Sequence, residues 1–292
     1  MLVLCIVWWP DVAHYYVSTP WISDEVGQTE RRNPDDSLLE ELSSFTPGYL
    51  IEQPFSTDQD LIATADKLLG GEVDLSGLLR KRVTLPFTAD DIDGGPGSWQ
   101  LSFAGLRLPD VLLRAYQITH DDRYLLAARD MILGWADYER RAWLPRGLLW
   151  NDHAVAARIP VLATFWLYYR HHRVYEAAAA RTVLEFLARS GALLVRPDHF
   201  TFSTNHGIMQ NLALCHLALA FPSLPDAMRY RDTAIARLRE AIGTTRLRGV
   251  ATNLAFHSAV LSDPEFCAGG VDTAFVNRLL GAKEAVGVRT HG

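Results

Sequence analysis

A chain of 292 residues with 49% hydrophobic and 21% charged content is globular in composition and long enough for one large domain or two small ones, which excludes a disordered polymer. Its net charge of -6 lays down no basic footprint and excludes a general nucleic-acid binder. An acidic ligand would have to be held by local donors. Three scattered cysteines, Cys5, Cys215 and Cys267, make neither a disulfide framework nor a zinc cluster.

The start, Met1 to Trp9, is apolar but has no basic lead and stops at Pro10 and Asp11. It is too short for a membrane span and a poor secretory signal. No other stretch is long and apolar enough to span a bilayer. Residues 1–57 read as an irregular lead-in of loops with one short helix, carrying Trp8, Trp9, Trp21 and a polar, turn-rich stretch from Glu30 to Ser37.

From Asp58 the pattern turns helical: Leu61, Ile62, Ala65, Leu68 and Leu69 recur at three- and four-residue steps, and Gly70-Gly71 stops the run. Asp90 to Gly97 is a Gly/Asp/Pro loop. Helices are then predicted over Leu106–Ile118, Asp121–Tyr138, His153–Tyr169 with Pro160 as a kink, Tyr175–Ala188, Asn205–Phe221 and Ala227–Ile242. Period-two strands are absent through this region. Helix pairs on short connections, without a crisp repeat, predict an all-α fold, an incomplete (α/α) toroid, over 58–242. Residues 243–292 form a short irregular C-terminal segment.

Two segments can carry chemistry. Trp150-Asn151-Asp152-His153 through Arg158 opens a helix that Asp152 can cap. It reads either as a capped helix with a partly buried Arg158 or as a cleft edge lined by Trp150, His153 and Arg158. Ser203-Thr204-Asn205-His206-Gly207 through Asn211 also opens a helix. His206 and Gln210, four apart, share one face, while Ile208, Met209, Leu212, Ala213 and Cys215 are assigned to the buried side. Here Asn205 reads as the N-cap and His206 as a core histidine, or both serve a ligand. A helix N-terminus offers free amides and a positive dipole end, which suit an anion.

Taken in order, several pieces resemble the N-terminal domain of the heparinase II/III-like and oligoalginate lyases. They are Ala65 to Gly71, Ser98-Trp99-Gln100, His120 to Leu125, Trp150 to Arg158, and Asn205-His206-Gly207 with Gln210. The Asn-His-Gly segment is the most specific. The resemblance implies a helical toroid that acts on uronic-acid glycans by β-elimination, a carbon-oxygen lyase. Asn205 would contact the uronate carboxylate and His206 would stand at the reacting centre. Gln210, Trp150, His153 and Arg158 would line the cleft. An anionic polysaccharide or oligosaccharide is then the partner, and a periplasmic or secreted location is implied. The chemistry calls for no cofactor and no metal. Of the candidate ligands, His171 and His172 are adjacent and are expected to point apart on a helix.

The family pattern also calls for a catalytic tyrosine some tens of residues after the Asn-His pair, and for a following β-sandwich. After His206 the chain has only Tyr230, within the next predicted helix, and it ends at Gly292. A toroid that binds carbohydrate without turnover, or is purely structural, therefore stays open as an alternative. A second resemblance occupies about 232–280. Ala234 to Ala241, Arg248 to His257, Asp263-Pro264-Glu265-Phe266 and Gly269 to Val276 are similar to the C-terminal end of a biotin carboxylase domain. This leaves a chimeric carboxylase fragment as another alternative. The ATP-binding and catalytic motifs of that family do not precede the tail, so ATP and biotin binding are not expected.

Overall fold

Apolar side chains at helical spacing can be buried only if helices pack face to face, and most of this chain does so. The computed structural model describes residues 20–33, 35–44, 55–75, 79–142, 148–202, 204–245, 253–269, 271–272 and 274–279. The readings of Met1 to Trp9 and of Cys5 lie outside them. The chain divides into two units, Met1–Arg231 and Asp232–Gly292.

The first unit holds α1 (Asp24–Arg32), α2 (Asp36–Ser44), α3 (Asp58–Leu69), β1 (Glu72–Leu75), β2 (Leu79–Arg82), α4 (Ala89–Asp93), α5 (Gly97–Ala104), α6 (Arg107–Thr119), α7 (Asp122–Arg141), α8 (Asp152–Tyr169), α9 (Ala177–Leu194) and α10 (Asn205–Ala220). The next helix, α11 (Ala227–Thr244), begins in it. Local chemistry sets the starts. Ser23 accepts from the Val26 amide at 3.2 Å, Thr57 from Asp60 at 3.1 Å and Asp121 from Arg123 at 3.0 Å, each satisfying an amide that has no partner within its helix. The hinge between α5 and α6 puts Leu106 at φ +63°, a conformation that costs an L-residue about 1–2 kcal/mol. Leu106 is buried, so apolar packing offsets the strain.

Helix α8 is the hub. It packs against α2, α5, α6, α7, α9 and α10, and every residue from Asp152 to Ala163 is buried. A helix apolar all round belongs in an interior. Aromatic rings fill the space beside it: Trp99 stacks on Phe103 at 5.1 Å, and Phe103 meets Trp135 edge-on at 5.2 Å. Around this hub the antiparallel helix pairs, such as α6 and α7 joined across His120-Asp121, form the incomplete (α/α) toroid that the sequence predicts.

Four local expectations are corrected. Among its described residues the lead-in holds two helices, α1 and α2, because Ser23 caps the first and Leu39 buries the second. The predicted Gly/Asp/Pro loop contains α4, closed by a capping box between Thr88 and Asp91. Strands β1 and β2 form an antiparallel pair in register Glu72↔Arg82, Val73↔Lys81 and Asp74↔Arg80. His171 and His172 lie in the turn after α8, where His172 Nε2 stands 3.1 Å from Asp122 Oδ1.

The second unit contains the rest of α11, α12 (Leu254–Ser262) and α13 (Pro264–Ala268). Asp263 caps α13 through the amides of Glu265 at 2.8 Å and Phe266 at 3.2 Å, with Pro264 at its first position. Gly269 ends it at φ +82°, a left-handed conformation open to glycine. Phe266 stacks on Phe275 at 5.9 Å.

In the first unit, α1 is tied down through Glu30. Its carboxylate accepts from the Ser223 amide at 2.6 Å, and its backbone carbonyl accepts from Arg170 at 3.3 Å. The side chain is buried, and burial pushes its carboxyl up to about 7. A carboxyl raised on folding stabilises fully below its unfolded value, and that contribution is lost as the pH climbs through the folded one. The shift from 4.5 to about 7 corresponds to about 3 kcal/mol. Denaturation from pH 5 to 8 is expected to show wild-type stability falling across this window. Glu30→Gln, a mimic of the neutral acid, should show a flatter profile and higher stability above pH 7.

Candidate active site

Two helices begin at the same place. Asn151 caps α8 by accepting from the His153 amide at 3.0 Å, and Thr204 caps α10 by accepting from the His206 amide at 3.2 Å. Asp152 and Asn205 therefore occupy first helical positions and are not the caps that the sequence suggested. The two N-termini meet through Asp152. His206 Nδ1 stands 3.3 Å from both Oδ1 and Oδ2 of that carboxylate, and the His206 and His153 rings are 5.0 Å apart. Asn205 is exposed and His206 partly so, while Asp152 and His153 are buried behind them. The positive end of α10, at exposed Thr204 and Asn205, faces the surface, which favours an anionic ligand there.

The segment 199–202 closes the back of this corner. Thr201 Oγ1 donates to Asp152 Oδ2. The Thr201 amide donates to Gln210 Oε1 at 3.0 Å, and Gln210 Nε2 donates to the His199 carbonyl at 2.8 Å. Both ends of the Gln210 amide are thereby used, and its side chain is fully buried. It fixes the segment that touches the site and does not face outward. Burial also pulls the His199 ring below its usual range, with Asp152 opposing. The glycine of Asn-His-Gly has a steric role: a Cβ on Gly207 would lie 2.5 Å from the Thr201 carbonyl oxygen. Only a residue without a side chain lets α10 approach this segment so closely.

The remaining sequence candidates lie deeper. Trp150 is 1% exposed and Arg158 fully buried. Arg158 donates to the Ala104 carbonyl at 2.7 Å, to the Leu149 carbonyl and to Glu139 Oε2, with its guanidinium 5.4 Å from the Trp135 and Phe186 rings. It underpins the start of α8 from within the core and does not reach a cleft. His153, with Arg107, Asp110 and Ser102, lines a cavity of about 20 Å³ between α5, α6 and α8, room for about one water. The buried face assigned to α10 is also corrected. Ile208 is 49% exposed, and the buried positions are Gly207, Gln210, Asn211, Ala213, Leu214, His216, Leu217 and Ala220. Polar Gln210, Asn211 and His216 displaced apolar residues from the inward face. Tyr230 is buried, its hydroxyl donating to the Ala188 carbonyl at 3.2 Å, and burial pushes it well up.

Sequence reasoning treated Asp152 only as a cap and passed over Thr201. The run Asn-Asp-His placed the carboxylate at a helix start, but its partner is 54 residues away. Among the described residues, no group of three or more His, Cys, Asp or Glu side chains is placed to hold a metal, and no helix is long and apolar enough to cross a membrane.

Two stability changes are expected. Arg158→Ala leaves buried Glu139 with only the longer 3.6 Å pairing to Arg189 and should cost about 3 kcal/mol. Gly207→Ala must push the 199–202 segment away and should cost about 1–3 kcal/mol. Urea denaturation of both variants against wild type checks each value.

Comparison with known proteins supports two relationships. The structure is similar to a mutant of the heparan sulfate lyase HepC from Pedobacter heparinus, with TM-score 0.60 and 14% identity over 90% of this chain and 45% of that one. It is similar to HepC itself, with TM-score 0.59 and 13% identity over 89% of this chain and 45% of that one. This chain therefore spans less than half the length of those lyases and shares their helical fold. The biotin carboxylase C-terminal domain family matches residues 227–278. The lyase match leaves a tenth of the chain uncovered, less than that stretch, so part of the carboxylase-like segment falls within both matches. No curated protein matches. Both resemblances drawn from the sequence are borne out at this level, and the polysaccharide-lyase-like helical fold is the firm conclusion.

Proposed function

We propose that the toroid, assigned to residues 58–242 between a lead-in and a carboxylase-like tail, binds uronic-acid-containing glycans and cleaves them by β-elimination. The observation that carries this is exposed Asn205 beside half-exposed His206 at the N-terminus of α10, with the α8 carboxylate of Asp152 behind the imidazole. β-Elimination removes the weakly acidic carbon-5 proton beside the sugar carboxylate, passes through an enolate-like intermediate, breaks the carbon-4–oxygen bond, and leaves oxygen-4 to take its proton from solvent water at the open face of the site. Donors that hold the carboxylate stabilise the developing charge. The Asn205 side-chain amide and the positive end of α10 suit that task. His206 takes the carbon-5 proton or offsets charge beside it. His153 supports the His206 ring, and Gln210, Trp150 and Arg158 hold the surface from beneath. The substrate class is that of the structural neighbours, which are heparan sulfate lyases.

The Tyr230 hydroxyl, buried and engaged by Ala188, favours a second reading: a carbohydrate-binding domain without turnover, in which no tyrosine protonates the leaving oxygen. The match at 227–278 brings a third, a carboxylase fragment, which a shift of the melting temperature by ATP with Mg²⁺ would support; no shift is expected.

The test is the ultraviolet absorbance of the conjugated unsaturated uronate during incubation with heparan sulfate, alginate and other uronate polymers. Turnover is expected, with loss of about 10²–10³ in kcat for His206→Ala and a smaller loss for Asn205→Ala. Asn205 is exposed, so its substitution should leave stability within about 0.5 kcal/mol. Binding of a polymer without any absorbance rise would establish the second reading.

A further inference from the structure

We infer that Asp152 is a positioning residue that sets the tautomer and aim of His206. The inference rests on the lyase reading for its catalytic consequence but not for its geometry. Asp152 holds its carboxylate at the first position of α8, where the helix end favours a negative charge. Oδ2 already accepts the Thr201 hydroxyl proton. A carboxylate has acceptors only, so the bond between it and His206 Nδ1, at 3.3 Å, requires the proton to sit on Nδ1. The lone pair of the neutral ring is then on Nε2, the nitrogen turned away from the carboxylate. This is the tautomer a base needs if it is to take a proton from a ligand.

The clamp extends inward. Thr201 is fixed by Gln210 through the 3.0 Å amide bond, and Gln210 by the His199 carbonyl. The missing side chain of Gly207 brings α10 close enough for this to happen. Gln210, Gly207 and Thr201 thus act on His206 through a single carboxylate. Other charged or titratable groups at this corner are His153, whose ring lies 5.0 Å from that of His206, and His199, whose charge is coupled to Asp152.

Asp152→Asn tests the tautomer directly. The amide oxygen would keep the Thr201 hydroxyl bond, which leaves the NH₂ facing His206. That group donates from the Oδ1 position, 3.3 Å from Nδ1, while the amide oxygen is engaged by Thr201, so Nδ1 is favoured as the acceptor and the proton moves to Nε2. Nitrogen-15 spectra of ring-labelled full-length protein are recorded in mildly alkaline buffer, where imidazole is neutral. His206→Asn identifies the His206 signals among those of the 10 histidines. The expected result is a protonated Nδ1 in wild type and inversion to a protonated Nε2 in Asp152→Asn. A wild-type ring protonated on Nε2, or one unchanged by the substitution, overturns the assignment. If Asp152→Asn does not fold, the wild-type spectrum still decides, and Thr201→Val, which keeps the carboxylate beside Nδ1, should leave the proton on Nδ1. With a uronate polymer that is turned over, Asp152→Asn should lower kcat about a hundredfold while KM stays within about threefold. An equal loss in both variants' kcat and KM without inversion of the ring would mark a merely structural role. If no polymer is turned over, the lyase reading fails, and the nitrogen spectra still test the positioning role.

Discussion

The buried guanidinium of Arg158 is the constraint around which the first unit is built. A charge with no exposure must find every partner inside the protein. Arg158 finds them on three separate segments: the Ala104 carbonyl at the end of α5, the Leu149 carbonyl before α8, and Glu139 near the end of α7. Trp135 and Phe186 close over it at 5.4 Å. These contacts fix how α8 enters the core, and hence where its first turn, with Asp152 and His153, comes to rest. An apolar side chain of similar volume could fill the space but would not join these carbonyls and this carboxylate.

Around that anchor, polar and apolar demands divide along α8. Its middle is sealed by aromatic and aliphatic neighbours, whereas its first turn carries Asp152 into a corner shared with α10. The same division is seen on α10, where Gln210 and Asn211 are buried and Ile208 is exposed. Such an arrangement spends buried polar groups on the 199–202 segment. Each buried amide end must be satisfied or it costs free energy, and Gln210 satisfies both of its own through that segment. The site is thus held by hydrogen bonds from behind while its outer face stays open.

The second unit follows a different logic. Its short helices are held by a proline after a capping aspartate, a left-handed glycine and one aromatic stack. Arg278 adds ion pairs to Glu265 and Asp272, each at 2.8 Å, which at an exposed position contribute little. Its resemblance to a biotin carboxylase end is therefore one of local turn chemistry as much as of core. Asp263, Pro264 and Phe266, which lie within the matched residues 227–278, shape α13.

The long helices were legible in the sequence because their burial repeats at three and four residues, and a period of that kind leaves one conformation that can hide it. Asp58–Leu69 and Asn205–Ala220 begin where the pattern says, and α8 begins one residue from the predicted start. The Asn-His-Gly segment was legible as a helix start for the same reason. Short or charged elements were not: β1 and β2 place Asp74 between Lys67 and Arg80, a charge pairing with no alternation of apolar residues to announce it. Nor could spacing tell which side of α10 faces inward, since its apolar residues surround it and neighbouring polar groups decide. The sequence by itself determined the long helices and the residue types at two helix starts. Only the tertiary structure decided that Arg158 is an anchor, that Gln210 faces inward, and that Asp152 meets His206 across 54 residues. A hydrogen bond between segments so far apart depends on how the helices pack, and no local pattern records it.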